Sequence, residues 1–198
     1  MRYQYLTSIH PLIDQYLELF IKPNSIVIDA TLGNGNDSYK IAQKMDHNGK
    51  LYGFDIQESA INNSRVLLNT LPENSAQICL IHDSHANFKT YIHEPVDFII
   101  YNLGYLPKGD KEITTLAEST LKSVQEGLDL LVDNGKMLIA VYHGHDAGKA
   151  EKETLETYLK TLDQKYFHVF KQQFINQQNS PPFIYLIEKA KIRVEYSS

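Results

Sequence analysis

Residues 26–37 read Ile-Val-Ile-Asp-Ala-Thr-Leu-Gly-Asn-Gly-Asn-Asp: an apolar strand, an acid, a two-glycine turn and the start of a helix. Gly33 and Gly35 let the backbone turn tightly and let a ligand come close to the main chain. The dinucleotide-binding pattern G-x-G-x-x-G asks for Gly or Ala at its third position, and Ser38 stands there instead. The turn therefore marks a nucleotide-like ligand and points away from NAD, toward a nucleoside cofactor such as S-adenosylmethionine (SAM).

The rest of the chain alternates strands with helices. Leu6, Ile9, Ile13, Leu17 and Phe20 recur at helical spacing and predict an N-terminal helix ending before Pro23. Strands are expected at 25–30, 50–55, 77–82, 96–101 and 136–142, and helices at about 36–46, 57–70, 113–132 and 147–163. Between 83 and 93 the pattern is irregular or helical. Val96–Tyr101 is apolar almost without alternation, as in a parallel strand buried on both faces. Two last strands near 166–174 and 183–189 have only an amide- and Pro-rich connection between them, which predicts an antiparallel hairpin. The sum is a single α/β domain over 1–198, with 1–22 as an N-terminal helical extension. Its mostly parallel sheet of seven strands carries helices on both faces and ends in that hairpin. This is the architecture of Rossmann-like class I SAM-dependent methyltransferases, in which ligands bind at the carboxyl ends of the strands.

Composition removes several classes. With 198 residues the chain suits one domain with a sizeable core. Cys79 is the sole cysteine, so neither an internal disulfide nor a thiolate metal site is available; its apolar surroundings predict a buried small hydrophobe. No run approaches the roughly 20 apolar residues of a membrane span, and the patterned, charged start does not resemble a signal region. A cytoplasmic protein without a membrane partner is expected. The net charge of −5 counts mildly against nucleic acid, although a local patch suffices. Lys108, Lys111, Lys149 and Lys152 could supply that patch or be ordinary solvated lysines.

The strand ends are unusually polar. Asp29 closes the first. Asp55 closes the second, about 20 positions past the glycine turn, where an acid can hold both ribose hydroxyls of an adenosine; a helix N-cap before Gln57 is the alternative. Asp83, followed by Ser84 and His85, closes the third and could reach the adenine amine or serve as a cap. Three caps at three consecutive strand ends are a poorer account than one adenosine site. The strand ends themselves thus point to Asp29, the Gly33/Gly35 turn, Asp55, Asp83 and Ser84.

After the fourth strand come Asn102-Leu103-Gly104-Tyr105-Leu106-Pro107. An Asn before a tight Gly/Pro turn resembles the Asn-Pro-Pro-Tyr loop of enzymes that methylate exocyclic amines. SAM is already a strong electrophile, so the protein must chiefly present a neutral amine with its lone pair in line with the methyl–sulfur bond. The Asn carbonyl and a main-chain carbonyl of the Leu103-Gly104 turn can accept the amine N–H bonds and aim that lone pair. Asn102, Leu103 and Gly104 are the expected catalytic residues; an ordinary loop Asn is the plain alternative. His143 and His145 alternate across a strand end with no third ligand nearby, so no metal is expected. His145 lines a substrate pocket or is simply loop polarity. The amides at 176–179 could grip a base edge or ribose, or merely connect a hairpin.

Asp-Ala-Thr-x-Gly-Asn-Gly-x-Asp (29–37), Phe-Asp-Ile-Gln (54–57), Asn-Leu-Gly-Tyr-Leu-Pro-x-Gly-Asp-Lys (102–111), Tyr-x-Gly-His (142–145), Glu-Lys (151–152) and Asn-Gln-x-Asn-x-Pro-Pro-Phe (176–183) together resemble the YtqB-type rRNA-methylase-like proteins, the MnmM tRNA wobble-uridine methyltransferases. The similarity runs from about His10 to Lys189; Lys108 departs from a glycine expected in many relatives. The resemblance implies methyl transfer from SAM to the amine of 5-aminomethyl-(2-thio)uridine in the tRNA anticodon stem-loop. It implies the fuller cofactor-binding set Asp29, Gly33, Asn34, Gly35, Asn36, Asp37, Asp55, Ile56, Gln57, Asp83, Ser84 and His85. It implies that Tyr105, Lys108, Tyr142, His145, Asn176 and Asn179 bind substrate. A homodimer is compatible with it. The alternatives are an rRNA base methyltransferase, which would share every cofactor residue, a non-catalytic SAM- or RNA-binding protein, and an NAD-dependent oxidoreductase, against which Ser38 and the Asn102 turn both argue.

Overall fold

The computed structural model describes residues 6–104, 116–144 and 146–191. Five strands, β1 (Ile26–Asp29), β2 (Lys50–Asp55), β3 (Gln77–His82), β4 (Val96–Leu103) and β5 (Leu131–Val141), lie parallel. β6 (Phe167–Gln172) and β7 (Phe183–Lys189) complete a seven-stranded sheet in the order β3-β2-β1-β4-β5-β7-β6, with β7 antiparallel to both neighbours. The chain reverses direction across the sheet between β1 and β4, and such a switch point opens a crevice at the carboxyl ends of those strands.

Alternate residues of the central strands feed two cores. On one face Val27, Phe98, Ile100 and Leu138 pack under α1 (His10–Phe20) and α2 (Asn36–Ala42). On the other, Ile28, Ile99, Tyr101 and Met137 meet the α4 turn (Phe88–Tyr91), α5 (Ala117–Leu130) and α6 (Asp146–Leu159). Because both faces of β4 are covered, its apolar run does not alternate. Ile13 and Leu17 of α1 are fully buried, contributing about 1.5–3 kcal/mol each. The α1 helix thus shields the sheet, and Lys40–Asp14 (2.6 Å) and Lys44–Glu18 ion pairs tie it to the α2 region. α3 (Glu58–Leu68) packs beside α2 and β3.

Three local expectations need correcting. Cys79 is exposed, because β3 is the sheet edge and its pleat is only partly covered. β4 continues through Leu103, so Asn102 and Leu103 pair with Ala140 and Val141 as strand residues instead of forming a turn. The helix ends at Leu130, and β5 starts at Leu131, opposite Val96; the next pair is Phe98 with Lys136. Residues 132–135 loop out between these pairs, with Asn134 at φ 58°, a left-handed conformation that Asn tolerates.

Candidate active site

At the carboxyl ends of β1–β5 lies a cavity of about 1030 Å³. Its walls include residues 29–34, Asn36, Asp37, 55–57, 83–85, Asn102, Gly104 and 142–144, drawn from all five parallel strand ends. Phe54 adds to the floor, and His10 of α1, Lys40, Leu116, Ser119, Ser180 and Pro182 complete it. These last six were not foreseen: His10, Lys40, Leu116 and Ser119 sit in no local motif and reach the cavity only through tertiary packing, and in the 176–183 block the amides were singled out, not Ser180 and Pro182. Asn176 and Asn179 are exposed and lie outside the cavity lining, whereas their neighbours Ser180 and Pro182 are in it. Tyr105, Lys108 and His145 lie outside the described residues.

The glycine turn is held from several directions. Gly33 (φ 54°) and Gly35 (φ 77°) both take left-handed conformations open to glycine. A Cβ at Gly35 would lie 2.8 Å from Ser64 Oγ, so α3 leaves room for hydrogen alone. Ser64 Oγ donates to the Gly33 carbonyl at 2.9 Å.

Asp29 is 1% exposed. One oxygen accepts from Ser38 Oγ at 2.7 Å and the other from the Thr31 N–H at 3.2 Å. Ser38 therefore occupies the third glycine position as the donor to a buried carboxylate. Burial pushes the Asp29 carboxyl up to about 7, with the charges of Asp37 and Asp55 adding to it and the Ser38 bond opposing. Asp55 combines both expectations: its oxygens accept from the Gly33 and Gln57 N–H groups, each at 2.9 Å. It thereby joins the glycine turn to the start of α3 while one lone pair on each oxygen remains for a ligand.

Asp83 is more fully committed. It accepts from the Ser84 N–H at 2.7 Å, from Asn87 Nδ2 at 3.0 and 3.1 Å and from the Tyr91 hydroxyl at 2.9 Å. Burial would raise its carboxyl, but these hydrogen bonds outweigh that and hold it below its ordinary value. Its acceptor capacity is spent on its own turn, so an adenine amine would find a poor partner there. His85 donates from Nδ1 to the Ala30 carbonyl at 3.1 Å, which makes Nε2 the acceptor nitrogen; Nε2 is buried without a partner. Burial holds His85 neutral.

At the centre of the cavity wall, the Asn102 N–H donates to Thr31 Oγ1 at 2.6 Å, and Asn102 Nδ2 donates to Asp37 Oδ2 at 3.0 Å. A carboxylate only accepts, so this contact assigns the amide nitrogen to Asp37 and leaves Oδ1 as an acceptor without a partner among the described residues. The Leu103 side chain is fully buried, and its carbonyl accepts from the Tyr142 N–H at 3.1 Å. Tyr142 flanks Gly104, where an added Cβ would sit 3.4 Å from the Tyr142 Cβ. Burial, with the Asp37 charge, lifts the Tyr142 hydroxyl to about 12, so it stays a neutral hydrogen-bonding group.

Asp29, Asp37 and Asp55, with Asp83 bound up in its own turn, place four carboxyls around one cavity, with Lys40 3.5 Å from Asp37 and itself shared with Asp14. That acceptor set fits a ligand carrying net positive charge and a nucleoside. Among the described residues, no group of three or more His, Cys, Asp or Glu side chains could hold a metal, and no helix is long and apolar enough to cross a membrane.

Comparison with known proteins agrees with this architecture. A crystal structure titled "putative rRNA-methylase" from Clostridium thermocellum matches 96% of this chain and 100% of its own, at 39% identity and TM-score 0.88. A "putative methyltransferase" from Streptococcus mutans, solved in complex with SAH, matches 96% of this chain and 99% of its own at 36% identity and TM-score 0.82. The chloroplastic tRNA (mnm(5)s(2)U34)-methyltransferase of Arabidopsis thaliana is 30% identical over 181 residues, 87% of this chain and 66% of that protein. The model of the family described as "Putative rRNA methylase" matches residues 51–188. The chain belongs to this rRNA methylase family and has the Rossmann-like fold of SAM-dependent methyltransferases.

Proposed function

We propose that this protein is a SAM-dependent N-methyltransferase that converts 5-aminomethyl-(2-thio)uridine to 5-methylaminomethyl-(2-thio)uridine at the wobble position of tRNA, within the anticodon stem-loop. The observation that carries the reading is the Asn102 amide, anchored by Asp37 so that its carbonyl oxygen is left to accept from a substrate N–H. Relatives supply the rest: one bears the tRNA methyltransferase name, and another is solved with SAH.

When bound, the cofactor supplies an activated methyl on a sulfonium. The residues of this chain bind and aim. Gly33, Asp55, Ile56 and Gln57 offer the ribose and base an acceptor-rich ledge, and the carboxyls around the cavity favour a cationic ligand. Asn102 Oδ1 accepts one N–H of a neutral primary amine, turning its lone pair toward the methyl. In-line attack forms the new N–C bond as the C–S bond breaks, giving SAH and a secondary ammonium that loses its proton to water. No strong base is required, so positioning supplies most of the rate gain.

The test is direct. The protein is incubated with SAM and with tRNA that carries the 5-aminomethyl group, and the digested nucleosides are analysed by mass spectrometry. The 5-methylaminomethyl nucleoside is expected. A methyl group appearing on ribosomal RNA and absent from tRNA would move the assignment to the rRNA reading contained in the family description.

A further inference from the structure

The cavity described above does not end the polar and apolar relief of this face. A second, smaller cavity of about 190 Å³ lies beside it, between the end of β5 and the connection from β6 to β7. His143 lines both. Phe174, Ile175 and Pro181 give the smaller cavity apolar walls, and Phe183 forms part of its floor. Ile175 is 90% exposed beside the half-buried Phe174, so its side chain is open to a ligand in the cavity.

The charges here are placed differently from those around the glycine turn. Lys152 Nζ stands 6.0 Å from the centroid of the Phe183 ring, and Lys171 Nζ 4.5 Å from it. Lys171 is paired with Glu156 at 3.2 Å. Lys152, half-buried in the cavity wall, has no carboxylate partner among the described residues, which leaves its charge for an anionic ligand. A cation, apolar groups beside polar ones, and a wall residue, His143, in common with the larger cavity describe a place for one base and its phosphate. Stacking of this kind tolerates any base, because every base has a π-face.

We propose that this cavity is a second RNA subsite, holding the nucleotide that adjoins the target, with Phe174, Ile175 and Pro181 against its base and Lys152 against its phosphate. The proposal rests on the RNA-methyltransferase reading of the larger cavity. It explains how a chain of net charge −5 engages RNA: through a local cation beside an apolar slot, without a broad basic face.

The experiment measures binding of a labelled anticodon stem-loop RNA across a salt series with SAH present. Lys152→Ala is expected to weaken binding and to lower the slope of log affinity against log salt by about one, the mark of a lost phosphate contact. Ile175→Ala, at a position too exposed to unfold the chain, is expected to weaken binding by about fivefold with the slope unchanged. Stem-loops with an abasic site next to the target are expected to lose affinity on one side, and on that RNA Ile175→Ala adds nothing further. SAH affinity is read alongside. Variants that bind RNA as the parent does, that lose SAH affinity in equal measure, or that alter only self-association overturn the subsite, as does a parent protein that does not bind this RNA. Methyl transfer by the parent is scored separately. If it methylates no nucleotide of the stem-loop while the variants lose affinity as expected, the wobble assignment falls and the subsite stands.

Discussion

Asn102 Nδ2 donates to Asp37 Oδ2 across 3.0 Å, joining the penultimate residue of β4 to the first turn of α2. The contact spans 65 residues of sequence and fixes which end of the Asn102 amide faces the cavity. Asp37 is held in turn by Lys40, 3.5 Å away. A residue of the glycine-turn region thus orients a residue of the proposed amine site.

Asn102→Ala is expected to abolish methyl transfer while SAH affinity changes by less than about tenfold, roughly 1.4 kcal/mol. Asp37→Asn is the sharper variant. An amide at 37 can accept or donate, so the Asn102 side chain is no longer compelled to present its carbonyl. A fall in kcat larger than the rise in KM for SAM that the lost carboxylate charge brings is the expected outcome, read by initial rates on aminomethylated tRNA. Full turnover in both variants would remove Asn102 from the reaction.

Asp55→Ala removes the acceptor for two main-chain N–H groups as well as a proposed ribose ligand. Stability should fall, since a hydrogen bond to a charged group contributes about 1.5–3 kcal/mol. SAH affinity should fall further than stability alone explains, measured by calorimetry at a temperature where the variant is folded. An affinity equal to the parent's would leave Asp55 as a cap and brace only.

Gly35→Ala meets two obstacles at once: a left-handed backbone and a Cβ placed 2.8 Å from Ser64 Oγ. The backbone term alone is about 1–2 kcal/mol. Adding Ser64→Ala should restore only a small part of the lost stability, because it relieves the Oγ contact alone: the Ser64 Cβ and Cα, at 3.0 and 3.1 Å, and the backbone strain remain, and the bond to the Gly33 carbonyl is lost. Thermal melts of the single and double variants read this directly.

Strand boundaries were legible where the chemistry changes abruptly. Asp55, the His82-Asp83 step and Pro182 each end or precede an apolar run, and β2, β3 and β7 begin and stop where those residues say. The ends of β4 and β5 were not, because Gly104 and Gly135 mimic turns whose true start is set by pairing with a neighbour. Cys79 misled because an apolar run does not announce that its strand is the sheet edge. At the site, the acids at strand ends were readable as a group, but their present partners were not. Ser38 reads as a departure from a glycine pattern until it is seen donating to Asp29. Asp83 reads as a ligand until Tyr91, eight residues on, folds back to it. His10 reaches the cavity only because α1 crosses the sheet face.

If the cofactor binds beside Asp29 as proposed, its binding should be linked to loss of a proton from that buried carboxyl. The Asp29 carboxyl is raised from 3.8 to about 7, so between those values the unfolded chain has lost a proton that the folded protein keeps. Burying Asp29 therefore costs stability progressively as pH rises from about 4 to about 7, and the cost is constant above that. Asp29→Asn should flatten this part of the stability profile, which urea melts at several pH values will show. Near pH 7 the folded protein is a mixture of protonated and ionised Asp29. SAM carries one net positive charge, and a cation in this cavity favours the ionised form. Binding should then release a fraction of a proton at pH 7, more at slightly lower pH, and little at pH 9. Calorimetric titrations in two buffers of different ionisation enthalpy measure that fraction. Asp29→Asn should abolish the buffer dependence, and a parent protein whose binding heat is the same in both buffers would show that Asp29 does not sense the cofactor.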